Sequence, residues 1–195
     1  MKKKIISVFV LSMVLSFMLA GCGFDNNRSS DEVLTETTDT DGMVHLESAD
    51  EVSAFFDEVY GAIGNGNLPN SLSTMELDLN DAEMIAYQTG LSDVSQIAGI
   101  TISEPMISSI AYSAIYIRTM GDADVNSIAQ EMMENINPAK WICVTAEKQL
   151  VATVGSDIFY IMGNSETVQT VFEQVSTYAA EKNMQVAILN EKTNS

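Results

Sequence analysis

The chain has 195 residues, 27 of them acidic and nine basic, with one histidine and a formal charge of −18 at pH 7. A phosphate backbone is bound by Lys and Arg that release counterions, so this balance excludes nucleic acids as partners, and it sets the folded part against anionic lipid head groups. It suits solubility, and leaves weak binding of divalent cations or basic peptides open.

Residues 1–21 read as a signal peptide. Lys2, Lys3 and Lys4 form a positive start, 5–19 an apolar core, and Ala20 and Gly21 are small residues ahead of Cys22. The apolar run is shorter than the roughly 20 residues needed to span a bilayer. The order resembles a lipobox, which implies diacylglycerol on the Cys22 sulfur and cleavage that leaves Cys22 first. The mature chain then carries six basic and 27 acidic residues, a net −21, and is held stably by two acyl chains on the extracellular face of the cell membrane.

From 22 to 49 Asn, Ser, Thr, Asp and Glu dominate and apolar residues are few, which predicts a disordered acidic tether. A coil of this length spans about 25–30 Å, well beyond a Debye length of about 8 Å. Thr37-x-Asp39-x-Asp41-Gly42 has the look of a calcium loop, but Thr37 and Ser48 stand where an oxygen-rich first ligand and a bidentate Glu are needed. His45 is read as a solvated residue of the tether, so a triad, a Cys-His pair or a histidine metal site has no held imidazole.

A single α+β domain is expected over 50–190. Val52, Phe55, Phe56, Val59, Tyr60 and Ile63 recur at helical steps from Asp50, and Gly64 ends the helix. A short strand over 72–79 follows, then a helix capped by Asn80 and ended by Gly90, and a third short helix from Ser92 through Ala98. Residues 107–119 read as a strand buried on both faces. Asp122 caps a helix with the stripe Val125, Ile128, Ala129, Met132, Met133 and Ile136. Strands over 141–145, 150–154 and 158–162 come next, the last two a hairpin across Gly155-Ser156, while 141–145 either opens that hairpin or stands apart. Ser165 caps a last helix, and 184–189 supplies an edge strand. Strand, helix, hairpin, helix, strand predicts a mostly antiparallel sheet with helices on one face in a ferredoxin-like, split β-α-β arrangement, preceded by N-terminal helices.

Little of this carries chemistry. With Cys22 lipidated, Cys143 stands alone between apolar neighbours and is read as a buried structural thiol. Met132 and Met133 fall on a helix stripe and read as core. Tyr112 and Tyr116 share a strand face, and are read as core with their hydroxyls at the sheet edge. Asp81 with Glu83, and Asp122 with Asp124, suit helix N-termini. No nucleophile elbow or Walker loop occurs, and the glycines from Gly61 to Gly66 follow a helix, in the wrong order for a dinucleotide loop.

Ser103-Glu104-Pro105-Met106-Ile107, Ile110-Ala111-Tyr112-Ser113 and Lys140-Trp141-Ile142-Cys143-Val144-x-Ala146-Glu147 resemble an uncharacterised lipoprotein family of clostridial-type Gram-positive bacteria, domain of unknown function 4358. The resemblance implies a membrane-anchored extracellular domain and no catalytic residues. The expectation is a noncatalytic binding or accessory domain with no cofactor or metal, and a cell-envelope protein as partner. The alternative is capture of a small ligand or divalent cation. Catalysis by Asp and Glu alone, as in a glycosidase, ranks third.

Overall fold

Each helix among the described residues starts where a short polar side chain accepts an otherwise unpaired N–H of the first turn. The computed structural model describes residues 44–64, 66–107 and 109–194. In it Ser48 accepts from Glu51 N before α1 (Ala49–Ile63), Asp81 from Met84 N before α2 (Ala82–Thr89), Asp124 from Ser127 N before α3 (Val125–Asn135) and Asn164 from Thr167 N before α4 (Ser165–Glu181). The caps of α2, α3 and α4 thus replace the expected Asn80, Asp122 and Ser165. Gly64 and Gly90 end α1 and α2 at φ 71°.

Six strands form one antiparallel sheet: β1 (Leu72–Glu76), β2 (Ile97–Pro105), β3 (Ser113–Thr119), β4 (Lys148–Val154), β5 (Asp157–Gly163) and β6 (Val186–Thr193), in the order β1-β2-β3-β5-β4-β6. Three expectations are corrected. Residues 92–98 are not a helix; the β-branched run around Ile100, Thr101 and Ile102 makes β2 instead. The buried strand starts at Ser113, not at 107. Residues 141–145 form no strand, because β5 and β6 already flank β4 and leave that ladder no open side. Ile142 is 68% exposed there, and Cys143 is exposed at φ 61°, so the expectation of a buried thiol fails with the strand.

Helices cover both faces of the sheet rather than one. α1 and α4 pack with Tyr112, Tyr116, Leu150 and Phe159, whereas α2 and α3 pack with Ile100, Ile115, Val151 and Ile158 on the other side. Topology explains this. β3 runs parallel to β4 with β5 between them, and β5 runs parallel to β6 with β4 between them, so there are two split β-α-β units. Both step the same way across the sheet from strands of opposite direction. Crossovers of one hand must then pass over opposite faces. A ferredoxin-like order needs the last strand beside β3, and β2 occupies that place.

Candidate functional site

The sheet has two unlike ends. One holds the Gly155-Ser156 turn, with Thr119 and Val186 beside it; the other holds Pro105, Ser113, Lys148 and Gly163. Val44 enters at the turn end, where any side chain on Gly155 (φ 63°) would overlap the Val44 carbonyl oxygen. Leu46 N donates to Asp157 Oδ2 at 3.3 Å, Arg118 Nη1 donates to Glu47 O at 3.0 Å, and Leu46 is buried. His45, expected to be solvated, has a side chain only 15% exposed, with Nε2 3.6 Å from Glu47 Oε1. Burying Leu46 beside the core seats its neighbours too.

Asp157 also accepts from Thr119 N at 2.9 Å and from Tyr116 Oη at 3.0 Å. Burial raises its pKa, against the lowering effect of those donors, of Leu46 N and of His45. Burial and the neighbouring carboxylate push Tyr116 well above its ordinary value. Tyr112 bonds Tyr60 hydroxyl to hydroxyl at 2.9 Å, and burial pushes Tyr60 up to about 12. Both strand tyrosines therefore close on partners inside the core rather than lining a pocket or reaching the sheet edge.

At the opposite end Lys140 is almost sealed, its side chain 2% exposed. Nζ meets Glu104 Oε1 at 2.6 Å, donates to Gln88 Oε1, and lies 5.4 Å from the Trp141 ring centre and 5.7 Å from that of Tyr87. Burial lowers its pKa, and the Glu104 carboxylate opposes that shift. The cluster ties α2, the end of β2 and the loop after α3 into one rigid base. An enclosed ammonium offers no open nucleophile. Near it, Tyr87, Met106, Ile107 and Ile142 are four of the nine exposed large hydrophobics among the described residues.

Sequence reasoning singled out neither Lys140 nor Glu104 for a role. Both lie in the segments that carry the family resemblance, but pairing across separate segments leaves no periodic signal. Asp157 was missed as well, since an Asp after Gly-Ser reads as turn chemistry. Cys22, Thr37, Asp39 and Asp41 lie outside the described residues. Met132 and Met133 are buried in α3, and Asp81 and Asp124 act as caps. Among the described residues no three His, Cys, Asp or Glu side chains converge to hold a metal ion, and no helix is long and apolar enough to cross a membrane. No family model, curated protein or solved structure matches the chain.

Proposed function

We propose that this chain is a lipid-anchored, extracytoplasmic binding domain, fixed to the cell membrane through Cys22 and presenting the Lys140 end to a protein partner of the cell envelope. The polarity of the molecule carries the reading. Val44, the first described residue after the anchor segment, enters at the Gly155 turn, and the exposed apolar residues around Lys140 gather at the other end of the sheet. The lipobox at Leu19-Ala20-Gly21-Cys22 and the family resemblance support the anchor. Cys22→Ala should shift the protein from the membrane fraction to unprocessed precursor or medium. A processed Cys22→Ala protein retained in the membrane would contradict the anchor.

One observation favours small-ligand capture instead. An open groove of about 450 Å³ lies between α3 and β6, lined by Gln130, Met133, Glu134, Asn190, Glu191 and Lys192, within the usual size of a ligand site. Thermal shifts with calcium, zinc and a metabolite panel separate the two readings, since any ligand of the folded state raises the melting temperature.

A further inference from the structure

The sheet ends at β1, and the parity of its pairing decides which of its backbone groups are used. Met106 N donates to Ser71 O at 3.1 Å and Leu77 N to Ile100 O at 2.8 Å. These pairs share one register with Ser73↔Glu104 and Met75↔Ile102. Antiparallel partners alternate between hydrogen-bonded and non-bonded pairs, so Ser73 and Met75 turn their N–H and C=O toward β2. Leu72, Thr74 and Glu76 turn theirs outward, where among the described residues no strand follows.

The two edges of the sheet are built differently. β6 is broken by a bulge opposite Val151 and Ala152, and its chain carries Glu191 and Lys192, both devices that blunt an edge. β1 has no bulge, proline or lysine, and its one charged side chain, Glu76, is held by Arg118. Its Met75 is 55% exposed on the α2 face. Residues 44–194 hold 21 acidic and five basic side chains, a net −16, and Arg118, Lys140 and Lys148 already pair with Glu76, Glu104 and Glu191. A second copy would bring like charge to like charge. A cationic strand would find complementary charge.

From this we infer that the outer edge of β1 takes an extended segment of a basic partner protein as a seventh strand. Side chains opposite Thr74 and Glu76 are lysine or arginine, near Asp78 and near Glu76, whose Oε1 already meets Arg118, and those opposite Ser73 and Met75 are apolar. The inference names the partner for the binding domain proposed above and is independent of the lipid anchor.

The test uses the folded chain and a synthetic peptide alternating lysine and valine over about eight residues, enough for one strand. Amide exchange at Leu72, Thr74 and Glu76 should slow by about tenfold or more when the peptide is added. A glutamate–valine peptide should leave it unchanged. Thr74→Pro removes an outward N–H that β2 does not use, so it should keep the circular dichroism spectrum and abolish the protection. Equal binding by wild type and Thr74→Pro would reduce the effect to charge adhesion and overturn the inference. Slowing of the same amides with protein concentration alone would assign the edge to a second copy and also overturn it. Protection at Tyr87 and Met106 instead of β1 would overturn only the edge, leaving the binding-domain reading standing. No protected amide anywhere would count against both.

Discussion

Lys140 and Glu104 are worth more together than either is alone. Glu104→Gln leaves a sealed ammonium without its counter-charge, at a cost of about 2–4 kcal/mol, discounted because Glu104 keeps 21% exposure. Lys140→Met replaces the buried charge with an apolar chain of similar length and lets Glu104 turn to water, so it should cost at least about 1 kcal/mol less. Urea midpoints of the two variants check the order. Asp157 gives a pH signature. The folded state holds its proton more tightly than the unfolded chain does, so its contribution is complete below the ordinary carboxylate pKa of about 3.9 and is lost as pH rises through the raised folded value. The stability advantage of wild type over Asp157→Asn should be largest near pH 4 and narrow toward pH 7; a widening gap contradicts this. Ile142 shows where residue-level reading stops. Its neighbours Trp141, Cys143 and Val144 look like strand by type, yet the sheet has no vacant side there and Ile142 stands 68% exposed. Ile142→Asp should therefore change stability by no more than about 0.5 kcal/mol in a thermal melt.

At the scale of elements, the hairpin of β4 and β5, the stripe of α3 and the ends of α1 were legible because each is a local pattern closed by a turn or cap. β2 was not, because Ser92 and Asp93 imitate a helix start while Asp93 in fact bonds Ser95. The two-sided placement of helices was illegible for another reason: it follows from β2 occupying the place beside β3, which no local pattern encodes. The segment 44–48 was hidden too, since one Leu in a polar stretch carries no periodicity. Its seat at the turn end can be tested through Gly155. An alanine there meets both a positive φ and the Val44 carbonyl, so Gly155→Ala should cost at least about 1 kcal/mol and expose the peptide bonds around Leu46 to protease while the sheet stays folded.

The described residues form an acidic domain with a structural direction: the chain enters at the turn end with Val44, and Tyr87, Met106, Ile107 and Ile142 stand exposed toward the other. Charge this unbalanced opposes compaction, and salt screens it, so the melting temperature should rise with ionic strength before any specific ion effect. Strands of seven residues separate the two ends by about 23 Å, a distance that energy transfer resolves. The central claim is the proposed orientation, with the Gly155 turn, where the described chain enters, toward the membrane and the Lys140 end away from it. The most direct measurement places one fluorophore at Ser156 or at Met106 of the lipidated protein in vesicles carrying an acceptor at the bilayer surface. Transfer should be clearly stronger from Ser156 than from Met106; equal transfer from both sites, or stronger transfer from Met106, would contradict the account.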